Sequence, residues 1–441
     1  MVGVRLKSFH MVIGGILSLW IVTFFIHEKL VPILIAQECH WSGSILPEGV
    51  DETKVLFIAD PQLIDNHTYP NRNPLLLKLS QHTVDVYIKK NYKALMGHLQ
   101  PDYVFFLGDY LDNGRSSDDE YFKSQYDRFF DIFQYTKYGF KKNKNYFVSV
   151  PGNHDIGVSD GVKRPSRDRF TTYFGKPNDK ITIDGVEFIT LDTPSLIAKD
   201  EGINYNANEF LNNNYKPGKE KLNPRVLMSH IPLFRGADKT CGPLREADFR
   251  PSKGYQYQSL VDSDITTDLL ERINPDLIFS GDDHDYCDIN HSANTREITV
   301  KSISMAMGIW YPGVQLLTFS NSDRFVYETK LCLLPTPYVN VVNYIIIAVI
   351  SGLTVLVWNI KQQRYNYTVL PVSNIKPKNI DDMLNNDKPH PLPNYTFNEK
   401  PTWKTKVGNL WKKAQVGSIL KQISLLGLVV IFIYKLFIWS I

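Results

Sequence analysis

With 441 residues, 43% hydrophobic and 22% charged, the chain has room for one large folded domain or two modest ones, plus further segments. A formal charge of only +3, with no long basic run interleaved with aromatics, speaks against a dedicated nucleic-acid binder.

The first element is the run FHMVIGGILSLWIVTFFI (residues 9–26), of membrane-spanning length and preceded by Arg5 and Lys7. A cleaved signal peptide would carry a shorter apolar core and a small-x-small site, so an uncleaved anchor is expected. A soluble body comes next, from about Cys39 to Pro335. Its runs KVLFIA (Lys54), YVFFLG (Tyr103), YFVSV (Tyr146), VEFITL (Val186), RVLMS (Arg225) and DLIFSG (Asp276) read as strands. Several lack alternation and should be buried on both faces. EITVKSIS (Glu297), VQLLTF (Val314) and FVYETKL (Phe325) add later strands, while residues 74–99 and 118–137 carry helical spacing. Strand and helix alternate, so the fold class is α/β, with a more strand-rich second half.

Two more apolar runs lie beyond the body, VNVVNYIIIAVISGLTVLVW (339–358) and ISLLGLVVIFIYKLFIWSI (423–441). The polar loop between them carries Lys361, Arg364, Lys376, Lys378, Lys404, Lys406, Lys412 and Lys413. By the positive-inside rule this loop and the N-terminal tip are cytosolic, which puts the body in the lumen or exterior. The expected organisation is a tip and anchor over 1–38, a lumenal domain over 39–335 and a transmembrane helix over 336–358. A cytosolic polar loop over 359–416 and a transmembrane or membrane-associated helix over 417–441 complete it. Lys435 interrupts the last run, which either crosses with that side chain snorkelling or lies in the surface. In a lumenal body, Cys241 and Cys287 are placed to form a disulfide, and Cys39 and Cys332 sit near its membrane ends. The pairing does not follow from sequence. Glycosylation triplets at Asn66 and Asn290 fall on the same side, and those at Asn366 and Asn394 in the cytosolic loop.

The specific signal lies just after each strand. KVLFIA leads into DPQ, with Asp60 and Gln62; YVFFL leads into GDYLDNG, with Asp109, Asp112 and Asn113. PGNHD supplies Asn153, His154 and Asp155, SHIP supplies His230, and SGDDH supplies Asp282 and His284. A lone DPQ or SHIP is usually a turn or a hydrogen-bonded strand end. Five in succession, each after a strand, point to one crevice at the carboxyl edge of a sheet.

This ordered set resembles the calcineurin-like metallophosphoesterase superfamily, with motifs D-x-H or D-x-Q, G-D-x-x-D, G-N-H-D, a strand-end His and G-H-x-H. The implied fold is a β-sandwich flanked by helices, here with flanking transmembrane helices. ADPQLID, CGPLRE, SGDDHDYC and the membrane runs narrow the resemblance. They are similar to the fungal endoplasmic-reticulum branch that removes ethanolamine phosphate from the glycan of glycosylphosphatidylinositol (GPI) anchors. The resemblance implies two divalent metal ions. One would take Asp60, Gln62, Asp109 and His284, and the other Asp109, Asn153, His230 and Asp282. It makes His154 the acid for the leaving group, with Asp155 a candidate to orient it, and leaves Asp112 and Asn113 to hold the loop. The implied substrate is a GPI-anchored protein or GPI lipid glycan, cleaved on the second mannose, in a membrane of the endoplasmic reticulum before transport to the Golgi.

Gln62 and Asp282 each stand where the superfamily pattern allows His, exchanging a nitrogen donor for oxygen. Oxygen-rich sites favour Mn²⁺ or Mg²⁺ over Zn²⁺ or copper, so Mn²⁺ is expected. Asp283 is an alternative ligand one position away. The insertion RGADKTCGPLREADFRPSK (235–253), with Arg235, Lys239, Arg245, Arg250 and Lys253, reads either as a cover that contacts phosphate or as a solvated loop pinned by Cys241. His67 and His291 read as surface residues. A competing function is a non-catalytic trafficking module that meets the cargo-receptor machinery. Another is a phosphomonoesterase or nucleotide phosphodiesterase on the same fold.

Overall fold

Apolar runs without alternation need cover on both faces, and the computed structural model supplies it with two stacked sheets between helical layers. It describes residues 2–41, 51–218, 220–236, 238–322, 324–368 and 416–439. The strands are β1 (Thr53–Ile58), β2 (Tyr103–Phe106), β3 (Tyr146–Phe147), β4 (Asp179–Ile183), β5 (Val186–Leu191) and β6 (Arg225–Ser229). A short hairpin, β7 (Lys253–Gly254) and β8 (Tyr257–Gln258), precedes β9 (Leu277–Ser280), β10 (Cys287–Ser292), β11 (Thr295–Thr299), β12 (Gly313–Ser320) and β13 (Val326–Leu333).

One sheet has five strands in the order β13-β12-β1-β2-β3, the other six in the order β10-β11-β9-β6-β5-β4. β1, β2 and β3 run parallel, as do β5, β6, β9 and β11, so their carboxyl ends share an edge. Phenylalanines fill the space between the sheets. Phe57 stacks on Phe279 at 4.0 Å between centroids, and Phe105 on Phe188 at 5.4 Å. Each fully buried ring contributes about 2–3 kcal/mol by area. Helices Pro74–Leu99, Asp119–Ile132 and Arg164–Phe174 cover the outer face of the five-stranded sheet, while Glu201–Asn214 and Ser263–Ile273 cover that of the other. This is the helix-flanked sandwich that the motifs imply.

Two disulfides close the body, Cys39–Cys332 and Cys241–Cys287. Bonds that close such loops stabilise by about 2–5 kcal/mol, and they persist in oxidising compartments.

Among the described residues, three helices are long and apolar enough to cross a membrane: Phe9–Glu38, Pro337–Lys361 and Val416–Trp439. Residues of Met1–Phe24 and Val341–Ser440 form one compact unit. In it Trp20 Nε1 donates to Ser351 Oγ at 3.1 Å, and Phe24 packs its ring on Tyr344, Tyr434 and Phe437. Phe25–Asn340 form the other unit. Residues 25–38, read from sequence as part of the anchor, thus pack with the body. Lys90 pairs with Glu28 at 2.9 Å, and Trp41 Nε1 donates to Leu99 O at 2.8 Å. Most of the polar loop expected over 359–416, from 369 to 415, lies outside the described residues.

Candidate metal centre

The turns that leave the strands are sharp. Asp60, Gln62, Asp109, Asp282 and His284 all have positive φ, between 35° and 65°. Residues with a Cβ avoid this region, at a cost of roughly 1–3 kcal/mol each, and keep it only where the surroundings impose it. Close approach of the loops also demands glycine. A Cβ on Gly108 would lie 2.4 Å from His230 Nδ1, and one on Gly152 would lie 2.0 Å from Asp109 Oδ1. The glycines of GDYLDNG and PGNHD are thus what lets two ligand loops close on one another.

The side chains converge. Ligand atoms of Asp60, Asp109 and His284 all lie within 4.8 Å of one another. His230 Nε2 lies 3.5 Å from both Asp109 Oδ1 and Asp282 Oδ1, and 3.2 Å from Asn153 Oδ1. Its Nδ1 is fixed on Leu107 O at 2.8 Å, which turns Nε2 toward the cluster. Asn153 donates its amide to Gln256 O at 3.0 Å, leaving Oδ1 for the cluster. Gln62 joins through its backbone N–H to Asp109 O at 2.8 Å, and its side-chain amide lies 2.9 Å from His154 Nε2. His154 donates its backbone N–H to Asp109 Oδ1 at 2.8 Å, while its Nδ1 sits 2.6 Å from Asp112 O.

A calcineurin-like phosphoesterase family model matches residues 53–286. The chain is 37% identical over 358 residues to Cell division control protein 1 of Saccharomyces cerevisiae, covering 76% of this chain and 72% of that protein. The chain belongs to the calcineurin-like phosphoesterase family. It is also 26% identical over 331 residues to Metallophosphoesterase 1 of Xenopus laevis, covering 68% of this chain and 78% of that one. Among solved structures, a dimetal phosphatase from Danio rerio aligns at 14% identity with a TM-score of 0.35, covering 64% of this chain and 98% of that one.

Phosphoesterases of this family bind a dinuclear metal site, and the donors here fit one. Among the described residues, Asp60 Oδ2, Gln62 Oε1 and Asp282 Oδ2 are buried with no hydrogen-bond partner. Orphans of this kind cost several kcal/mol unless a ligand satisfies them. The electrostatics agree. Burial raises Asp60 well above the ordinary carboxylate value, opposed by His230, with Asp109 and Asp282 adding repulsion. Burial likewise raises Asp282. Burial would raise Asp109 too, but His230 and His154 hold it below the usual range. Burial lowers His284 to about 4, keeping it the neutral imidazole that a metal requires. This pocket has more carboxylate than its own cations neutralise.

Other assignments change with the geometry. Asp283, the alternative to Asp282, turns away. It takes a two-pronged contact from Arg245 at 2.7 and 2.9 Å and another from Arg235 at 2.6 Å, with Phe249 beneath both guanidiniums. Arg235 and Arg245 of the insertion are thus occupied by Asp283, while most described positions from 236 to 253 are exposed and Cys241 pins the loop to Cys287. Asp283→Asn is expected to keep wild-type metal content while lowering stability by about 3 kcal/mol, because the buried Arg235 and the partly buried Arg245 lose their charge partner. Asp282→Asn is expected to lose metal with little change in stability. Metal analysis and thermal melts of the two variants check the pair.

Asp155 does not orient His154. Its carboxylate accepts N–H groups from Tyr110, Leu111 and Gly152 at 2.9–3.3 Å, fixing the backbone of the two ligand loops. Burial, with the nearby Asp109 charge, pushes it up to about 7. The orienting partners of His154 are Asp112, whose carboxylate lies 3.6 Å from Nδ1, and Gln62. Asp112 also holds its loop by accepting from Asp65 N and from Thr68 N and Oγ1. His67 is exposed, yet its ring centroid is 6.0 Å from that of His154, and its Nε2 is 3.0 Å from Arg115. His291 is not a surface residue: it pairs with the buried Glu297 at 2.6 Å, and its side chain is only 7% exposed.

Proposed function

We propose that the chain is a membrane-anchored, dinuclear-metal phosphodiesterase that removes ethanolamine phosphate from the glycan of GPI anchors during their remodelling in the endoplasmic reticulum. The observation that carries the catalytic half is His154. Its side chain is 21% exposed and is held beside the ligand cluster by Asp112 and Gln62. A non-catalytic cargo module has no use for an imidazole aimed out of a metal cluster. Three membrane-length helices favour a lipid-linked substrate. The GPI glycan itself rests on the resemblance carried by ADPQLID, CGPLRE and SGDDHDYC.

In this reading Asp60, Gln62, Asp109 and His284 would hold one ion, and Asp109, Asn153, His230 and Asp282 would hold the other, with Mn²⁺ suited to both. Bound there, two such ions would offset the phosphodiester's charge and lower the pKa of an attacking water. His154, whose Nδ1 donates to Asp112 O, is placed to act as the acid that gives a proton to the departing sugar oxygen as the phosphorus–oxygen bond breaks. Asp155 and the glycines keep the loops rigid enough for that alignment. The products are ethanolamine phosphate and a free hydroxyl on the second mannose.

The full chain, purified in detergent with Mn²⁺, is expected to hold two metal ions and to release ethanolamine phosphate from a GPI glycan, losing activity on chelation. Turnover of monoesters or nucleotides with the glycan left intact would replace this reading with the phosphatase one. Bound metal with no turnover of any ester would favour the cargo module. The lumenal orientation is tested by sugar attachment at Asn66 and Asn290, both exposed.

A further inference from the structure

The strand topology ties the metal centre to the point where the chain enters its second apolar helix. β12 is antiparallel to both β1 and β13, so β1 and β13 end at the same edge of the sheet. β1 leads into Asp60, and β13 ends at Leu333, shortly before the helix that begins at Pro337. A ladder of hydrogen bonds joins the two ends. Ser302 Oγ donates to Asp60 O at 2.7 Å, and Ser302 N donates to His284 O at 3.0 Å. Gly313 N then donates to Ser302 O at 3.0 Å, and Leu334 N to Pro312 O at 2.7 Å.

Between Ser302 and Gly313 the chain makes an excursion that carries Trp310, 62% exposed, and Tyr311, 46% exposed. Trp310 packs its ring 4.7 Å from that of Tyr338, which is 44% exposed and lies in the first turn of the apolar helix. The excursion is not loose. Glu246 accepts the backbone N–H groups of Trp310 at 2.6 Å and Tyr311 at 3.0 Å, and is itself held by the buried Lys301 at 2.8 Å. Lys301 precedes Ser302, so the rim and the site share one support. Single exposed aromatics are ordinary. Three on a rigid mount, at the mouth of a membrane-length helix, have the amphipathic chemistry of the lipid–water boundary.

We infer that Trp310, Tyr311 and Tyr338 seat the metal-bearing edge of the body on the bilayer interface, so that the site draws its phosphodiester from the membrane surface. This deepens the proposed function and rests on it for the substrate, but the docking itself stands on the topology.

The test uses the full chain in phosphatidylcholine vesicles, with and without lipids brominated just below the headgroup. The chain has seven tryptophans, so the contribution of Trp310 is read as wild type minus Trp310→Phe. Shallow bromine is expected to quench that difference signal, and acrylamide in the water is not. The reverse, or no difference, overturns the docking. In the same vesicles, the Trp310→Ala/Tyr311→Ala double variant is expected to raise KM for a lipid-linked diester on the order of tenfold, which is about 1.4 kcal/mol. Its kcat/KM on a soluble diester should be unchanged; an equal loss on both substrates would mean that the rim acts on the site and not on the membrane. Quenching without turnover of any diester would leave the docking standing and sink the phosphodiesterase reading.

Discussion

Asp109→Asn is expected to lower kcat on the order of 10³-fold or more, equivalent to about 4 kcal/mol of barrier, and to empty the site of metal while the protein stays folded. Asp109 belongs to both constellations. It lies with Asp60 and His284 inside 4.8 Å, and its Oδ1 is 3.5 Å from His230 Nε2. In the proposed reading Asp109 would be shared by two cations, and Asn would keep one oxygen but remove the negative charge that would offset their repulsion. The change is otherwise mild. The φ of 52° at this position is one that Asn tolerates, and an amide oxygen can still accept the His154 N–H. Metal analysis and a thermal melt separate the two effects. Wild-type metal content in a folded Asp109→Asn protein would remove Asp109 from the bridging role.

Much of this arrangement can be read from the chain because the apolar runs are short and unalternating. KVLFIA, VEFITL, RVLMS and DLIFSG become β1, β5, β6 and β9, all with mainly buried positions. Helix Pro74–Leu99 has its expected bounds, set by Asn73 capping Leu75 N, Pro74 in the first turn and Gln100 in the left-handed region at the end. The strands that lack such a mark lie at sheet edges. β4 alternates in burial, and β10, CDINHS, is mostly polar, so neither shows the run of apolar residues typical of a central strand.

The site is legible in its residue types but not in its wiring. Which of Asp282 and Asp283 faces the cluster depends on Arg235 and Arg245, which approach from an insertion far back in the chain. No local rule supplies that. Asp155 neighbours His154 in sequence, yet on the short helix Asn153–Ile156 adjacent side chains diverge, so one carboxylate caps loop amides while the imidazole faces outward. His291 reads as exposed because its strand is polar, and only the Glu297 partner on β11 explains its burial. The strained backbone at five candidate ligand positions leaves a fainter trace. Asp, Asn and His are the residues that best tolerate positive φ, and the motifs are rich in them. Function and local backbone preference coincide there.

Replacing His154 is the complementary experiment, because it should leave the metals and remove the proton. His154→Ala keeps the backbone N–H on Asp109 Oδ1, so the ligand loop and its ions are expected to stay. General-acid catalysis contributes roughly 10²–10⁴-fold, and a loss of that size is expected for a diester with an alkyl leaving group. A nitrophenyl diester, whose leaving group departs without a proton, should lose far less. The ratio of the two losses is the diagnostic, since distortion of the metal centre would slow both alike. The side chain is partly open to solvent at 21%, so added imidazole should restore part of the alkyl-ester activity. Equal losses on both substrates, with no rescue, would assign His154 to holding the Gln62 and Asp112 loops together instead of to the chemistry.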